Sequence, residues 1–292
     1  VRRVVLDNPA AHQAVAGRSL LYLGNHQVGL ESLVFSILGA ALNGMPTVTL
    51  AKIEHKKTWL GQLIQRCFSY PGVADPRLIT FFDREDKASL PAIIGELAAE
   101  MAGPGRSVMV HVEGTRSLEC RTPVLKMSGA FIDMALKVNA PIVPVRFVGG
   151  LPPERMEKRI EFPLGMGQQD IWLGAPILPE ALASMPYGER KKVVIAAINA
   201  LGPPNATEAP LPGDPDFAAR VAAWQARTGA SEEHAVLFEV LREQTDRVPA
   251  VERLLAAADS GVLRLTNTPE DAWLGVLAAW LYGPRGPRIE GG

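Results

Sequence analysis

The chain has 292 residues, 47% of them hydrophobic, and a formal net charge of −1 at neutral pH. That length and content can bury a sizeable core, as one large domain or as one with a smaller companion. The near-zero charge carries no basic signature, which argues against a nucleic-acid partner.

Two cysteines, Cys67 and Cys120, fall far apart and in neither disulfide nor zinc spacing. A reducing, cytoplasmic compartment is expected. No apolar run approaches the ~20 residues that a membrane span needs, so at most peripheral membrane contact is expected. Val1 at the start, in place of Met, fits a domain cut from a longer protein.

In chain order, Val4-Val5-Leu6 reads as a strand and Ala10 to Val15 as a short helix. Leu20-Leu21-Tyr22-Leu23 is a short apolar run closed by Gly24-Asn25, the pattern of a buried strand. From Leu30 the spacing turns helical, through Leu33, Val34, Ile37, Leu38 and Ala41. Strands follow at Pro46–Ala51, Leu78–Phe82, Ser107–Val112 and Ala140–Val148, with weaker candidates at Arg159–Phe162 and Asp170–Leu173. Helices are predicted over Lys52–Tyr70, Ser89–Met101, Gly129–Lys137 and Gly188–Leu201. Strands alternating with helices predict an α/β domain over residues 1–201, with a mainly parallel sheet flanked by helices. Residues 202–215 are proline-rich and lack periodicity, as a linker would. Residues 216–285 read as a small all-helical segment with no chemical constellation; His234 there reads as a solvated helix residue.

His26 falls in the bend between a strand end and a helix start, five residues before Glu31. On one continuous helix the two side chains would point about 140° apart. They can meet only if His26 lies in the turn, which Gly24, Asn25 and Gly29 make feasible. A His oriented by a carboxylate is the minimal general-base unit, because the carboxylate fixes the tautomer and stabilises the imidazolium. Three further motifs end strands: Phe81-Phe82-Asp83-Arg84, Glu113-Gly114-Thr115-Arg116-Ser117 and Pro141-Ile142-Val143-Pro144-Val145. Together they supply a base, His26 with Glu31, and a phosphate clamp of Arg84, Arg116 and Lys126 shaped by Glu113, Gly114 and Thr115. His26 and His111 have no metal-ligand spacing with other ligands, so no metal is expected.

These motifs, in this order, resemble those of the glycerol-3-phosphate and 1-acylglycerol-3-phosphate (lysophosphatidate) acyltransferases, over roughly residues 19–150 and more weakly to about Leu201. Asn25-His26 with Glu31 matches the family's Asn-His, four residues, acid pattern. Phe81 to Arg84 matches its Phe-x-x-Arg, Glu113 to Ser117 stands intact, and Val143-Pro144-Val145 matches the fourth motif. The sequence departs from the family at Glu31, where Asp is usual, and at His111-Val112, which replace Phe-Pro. Residues 1–24 are not expected to form a membrane-anchoring helix of the kind often found before the first motif in the family. The resemblance implies direct acyl transfer from acyl-CoA or acyl-carrier protein to a hydroxyl of a glycerol-phosphate or lysophospholipid acceptor, without a cofactor. His26 would be the base, Glu31 its orienter, and Arg84, Arg116 and Lys126 the phosphate ligands. The alternatives are an acyltransferase domain of a larger lipid or polyketide-type synthase with another acceptor, and a non-catalytic acyl or carrier-protein binding module.

Overall fold

Residues 21–24, 107–111 and 142–148 are buried along their whole length, as strands covered on both faces must be. The structure, a computed structural model, describes residues 1–73, 77–83 and 85–291. Residues 1–60 and 77–212 form one compact unit, and residues 61–76 with 213–292 form a second.

The first unit is built on a seven-stranded sheet of β1 (Arg3–Leu6), β2 (Leu21–Gly24), β3 (Thr47–Lys52), β4 (Ile79–Phe82), β5 (Ser107–His111), β6 (Ile142–Val148) and β7 (Asp170–Leu173). Their spatial order is β1-β7-β6-β2-β5-β3-β4, and every pairing is parallel except β6 with β7. The helices are α1 (Pro9–Ala14), α2 (Glu31–Asn43), α3 (Trp59–Phe68), α4 (Ser89–Ala102), α5 (Ala130–Lys137), α6 (Pro179–Ala183) and α7 (Tyr187–Asn199), of which α3 passes into the second unit at Gly61. Strand alternation divides the core in two. Leu21, Leu23, Val108 and Val110 pack with Leu97, Ile132, Ala135 and Val194 from α4, α5 and α7. Tyr22, Met109, Val143, Val145 and Phe147 pack on the other face, with Phe35 of α2.

Register fixes what the strand ends bring together. Gly24 pairs with His111 on one side and with Val145 on the other, so the first, third and fourth motifs leave neighbouring strands at one edge. Open α/β sheets place their sites at such an edge.

The α/β reading holds, and four details of the sequence reading do not. Residues 159–162 are not a strand: the carbonyls of Ile160 and Glu161 instead accept the backbone N–H groups of Gly29 (3.1 Å) and Leu30 (3.0 Å). The helix expected over 52–70 is a 3₁₀ turn at Ile53–Lys57 followed by α3, whose Leu60, Leu63 and Ile64 are buried. The proline-rich stretch is no free linker as far as Pro212, because Glu208 in it is 1% exposed and bound to the first unit. Proline-rich composition had concealed one buried carboxylate. The last segment is not wholly helical either: between α8 (Pro215–Thr228), α9 (Glu232–Glu243), α10 (Pro249–Ser260) and α11 (Pro269–Leu281) it carries β8 (Val262–Leu265), which pairs in parallel with β9 (Arg288–Gly291).

Within the second unit Trp224 stacks on Phe238 at 3.6 Å, and α3 joins the core through Trp273 and Trp280. The Trp273 indole N–H donates to the Arg66 carbonyl (2.6 Å) and that of Trp280 to Gln62 Oε1 (2.9 Å). Among the described residues no helix is long and apolar enough to cross a membrane.

Candidate active site

β2 ends on Gly24, where a Cβ would lie 3.0 Å from the Met109 side chain and 3.1 Å from Val145. Asn25 then clasps the neighbouring strand with its side chain. Its Nδ2 donates to the Phe147 carbonyl (2.9 Å) and its Oδ1 accepts from the Phe147 N–H (2.7 Å). The chain is thereby turned out of the sheet at His26, and α2 begins at Glu31.

Glu31 folds back over that turn. Its Oε2 accepts from His26 Nδ1 (2.8 Å) and the Gln27 N–H (2.9 Å), and its Oε1 from the Val28 N–H (3.1 Å) and Gln169 Nε2 (2.7 Å). Four donors converge on two oxygens, the environment of an ionised carboxylate. A carboxylate can only accept, so the His26 proton sits on Nδ1 and the lone pair on Nε2. Burial pushes Glu31 up, to about 7, against the pull of these donors. Burial also holds His26 well below its ordinary value, helped by the positive charges of Arg116, His55, Lys52 and Arg159. His26 is therefore a neutral imidazole with a free acceptor nitrogen.

His111, at the end of β5, stacks on His26 with ring centroids 3.6 Å apart and planes 13° apart. Its Nδ1 lies 2.7 Å from the Asn25 carbonyl oxygen, an acceptor, so the proton is on Nδ1 and Nε2 accepts from the Ser32 hydroxyl (3.2 Å). Burial pushes His111 down to about 3, reinforced by His26, and it stays neutral. From sequence, His111 stands out as a departure from the family's Phe-Pro and as a histidine without metal-ligand spacing, not as a neighbour of His26. The missing signal was register, because Gly24 opposite His111 sets the two histidines side by side.

His26, Glu31 and His111 could by atom type hold a cation, their ligand atoms lying within 4.8 Å of one another. A metal sits in the plane of each imidazole it binds, and two nearly parallel planes 3.6 Å apart share no such point. Both Glu31 oxygens and both His111 nitrogens are already in hydrogen bonds. The cluster is a hydrogen-bonded network.

The third motif closes on the first. Gly114 takes the left-handed φ of +65° and returns its N–H to the His111 carbonyl (3.0 Å). Two residues on, Arg116 Nη1 donates to the Ile160 carbonyl (2.8 Å) and to Glu161 Oε1 (2.7 Å), which pins residues 160–161 over the turn that carries His26. A Cβ on Gly29 would fall 1.9 Å from Glu161 Oε2, so a side chain there would displace the Glu161 carboxylate from this position. Arg159 Nε donates to the Arg116 carbonyl (2.9 Å). Burial pushes Glu113 up to about 7, with Lys126 pulling the other way. Thr115 and Lys126 are exposed. Arg84 lies outside the described residues. His55 and Arg159 carry no sequence motif, yet both act on His26 along with Lys52.

Behind the turn, Gln27 ties the site to the proline-rich stretch. Its Nε2 donates to Glu208 Oε1 (2.6 Å), and its Oε1 accepts from the Gly150 N–H (2.9 Å). Arg146 Nη2 meets Glu208 Oε2 at 2.6 Å, while its Nη1 donates to the carbonyls of Leu201 (2.5 Å) and Pro203 (2.8 Å). The Gly149 N–H also donates to Glu208 Oε1 (3.2 Å).

Residues 7–148, the span from before the first motif through the fourth, match the family model described as Acyltransferase. Residues 7–148 belong to the acyltransferase family. The family expected from the four motifs is thus found over the strands that present them. Among solved structures the chain is similar to the 1-acyl-sn-glycerophosphate acyltransferase PlsC of Thermotoga maritima, at 20% identity and a TM-score of 0.44, over 68% of this chain and 72% of that one. Among proteins of curated function none matches.

Proposed function

We propose that this acyltransferase moves a fatty acyl group from an acyl thioester, acyl-CoA or acyl-carrier protein, to a hydroxyl of a glycerol-phosphate or lysophospholipid acceptor, with His26 as general base. The observation that carries this reading is the 2.8 Å contact from His26 Nδ1 to a carboxylate already held by three other donors, which leaves Nε2 as the acceptor. The acceptor hydroxyl gives its proton to Nε2 as its oxygen attacks the thioester carbonyl carbon. Collapse of the tetrahedral intermediate breaks the C–S bond, and the departing thiolate takes that proton from the imidazolium. Ester and thiol leave, and His26 is neutral again. Base assistance of this kind contributes about 10²–10⁴-fold, and positioning and oxyanion stabilisation supply the rest.

Charge supports a phosphorylated acceptor. Arg116, Lys52 and Arg159 all act on His26, and Lys126 acts on Glu113 in the adjoining turn. Both side-chain bonds of Arg116 use Nη1, so a phosphate would meet the guanidinium through Nε and Nη2. Arg84 and Lys126 complete the proposed clamp, and Glu113, Gly114 and Thr115 shape its loop. A lipid acceptor places the enzyme on the cytoplasmic side of a membrane, attached peripherally; release by salt or carbonate checks that.

The test is incubation with labelled acyl-CoA or acyl-carrier protein and, in separate arms, glycerol 3-phosphate, a lysophosphatidate and a phosphate-free monoacylglycerol. Label in a phosphorylated product, lost in His26→Ala, is the expected result. Transfer that survives His26→Ala, or that ignores the phosphate, overturns the reading.

A further inference from the structure

The hydrogen bonds of His111 bracket the first motif. One goes to the carbonyl of Asn25, the residue immediately before His26, and the other to the hydroxyl of Ser32, the residue immediately after Glu31. Between those anchors its ring lies 3.6 Å under the His26 ring. The ring cannot tilt without breaking one of the two bonds, and it is 7% exposed. On its far side Phe147 lies at a centroid distance of 5.7 Å, and Phe35 backs Phe147 at 5.9 Å. A histidine held at Nδ1 alone can still swing about that bond. A flat wall against its face removes that freedom.

We propose that His111 is a positioning residue of the acyl-transfer reaction, whose ring face fixes the plane of His26 so that Nε2 is aimed at the acceptor hydroxyl. The inference rests on the reading of His26 as the base. His111 takes no proton in the cycle. Its Nδ1 already carries one toward a carbonyl, and its Nε2 lone pair is occupied by Ser32. Its contribution is geometric, and misplacing a catalytic group by about 1 Å costs on the order of 10²-fold in rate.

Three variants isolate the ring face. His111→Phe keeps a flat ring and gives up both hydrogen bonds, His111→Leu keeps bulk without a ring, and His111→Ala keeps neither. Turnover is measured with the acyl thioester and acceptor that the wild type uses, alongside His26→Ala. Nitrogen-15 spectra of the histidine rings follow the His26 Nδ1–H, whose proton is protected from exchange while the ring is held against Glu31. The expected result is a kcat about 10²-fold lower in the Leu and Ala variants, with acceptor KM unchanged and the protected Nδ1–H lost. In His111→Phe most of kcat and the protected proton return. If the alanine variant does not fold, the Phe and Leu pair carries the comparison. A phenylalanine variant as slow as the leucine one, or leucine and alanine variants at wild-type kcat, overturns the positioning role. An active His26→Ala enzyme instead overturns the base assignment, and the nitrogen-15 spectra still report whether the stack holds the ring.

Discussion

The backbone N–H of Ser117 donates to the carbonyl oxygen of His26 at 2.7 Å. The last residue of the Glu-Gly-Thr-Arg-Ser turn is thus fastened to the base itself, so the groups proposed to hold the acceptor and the group proposed to deprotonate it share one rigid edge. A shift in either loop is a shift in both, and mutational effects in the two motifs should not be additive.

The first prediction separates chemistry from packing. His26→Ala should lower turnover by about 10²–10⁴-fold while its thermal unfolding stays near wild type, because the side chain retains 14% exposure and caps no core. Glu31→Gln should lose most activity and some stability, since an amide presents Nε2 to donors that now lack an acceptor. Glu31→Asp should fall between them: it keeps the charge but is one methylene shorter toward the Gln27 and Val28 amides. Paired melting curves and initial rates check all three.

The pH profile follows from the raised carboxyl. The reacting form needs Glu31 ionised and His26 neutral. His26 lies well below its ordinary value, so Glu31, at about 7, sets the acid limb. As pH falls through about 7 the carboxyl takes a proton, the imidazolium loses its counter-charge and kcat/KM drops; above it the profile is flat. Glu113 also sits at about 7, so Glu113→Gln is the control and should leave the limb in place. A limb that survives Glu31→Gln and vanishes in Glu113→Gln would assign it to the wrong carboxyl.

Arg116 is expected to do two jobs, and they can be told apart. Each charge-assisted bond to a phosphate is worth about 1.5–3 kcal/mol, so Arg116→Ala should raise KM for a phosphorylated acceptor by one to two powers of ten. Lysine should rescue only in part, having no bidentate fork. Glu161→Ala removes the acidic partner but leaves the guanidinium, and should weaken the cover over Gly29 with a smaller effect on that KM. If phosphorylated and phosphate-free acceptors lose the same factor in Arg116→Ala, the residue only holds residues 160–161.

The Arg146–Glu208 pair, which backs Gln27 behind the His26 turn, predicts a stability effect. Both side chains are at most 2% exposed, and breaking a buried pair from one side costs about 3–5 kcal/mol. Glu208→Ala should lower the melting temperature sharply and loosen Gln27. Limited proteolysis should spare residues 202–212 and cut beyond Pro212 in exposed residues 214–216.

Much of this was legible in the sequence because strands buried on both faces and strand-end motifs write themselves locally. Leu20 to Leu23 announced β2, and His26 with Glu31 announced a turn, since no helix could join them. What escaped depended on pairs distant in sequence. His111 reaches the site through strand register, Gln169 through β7, and Glu208 from a stretch whose prolines suggested solvent. Residues 159–162 have strand-like composition, but their carbonyls face a turn instead of a partner strand. The expected Arg116 clamp was visible as a motif, whereas its partner Glu161 sits 45 positions later with no motif of its own.

The bond from Gln27 to Glu208 spans 181 positions, so the first motif leaves the ribosome long before the residue that steadies it. Synthesis runs from the N-terminus at about 5–20 residues per second, which leaves a newborn chain with His26 made and its backing absent for many seconds. During that interval Gln27 Nε2 and Arg146 Nη2 lack the carboxylate that joins them in the finished fold. Ribosome-bound chains halted shortly before residue 208 should be inert toward acyl thioesters, and those released beyond it competent, so the enzyme carries in its own topology a delay between having its motifs and being able to use them.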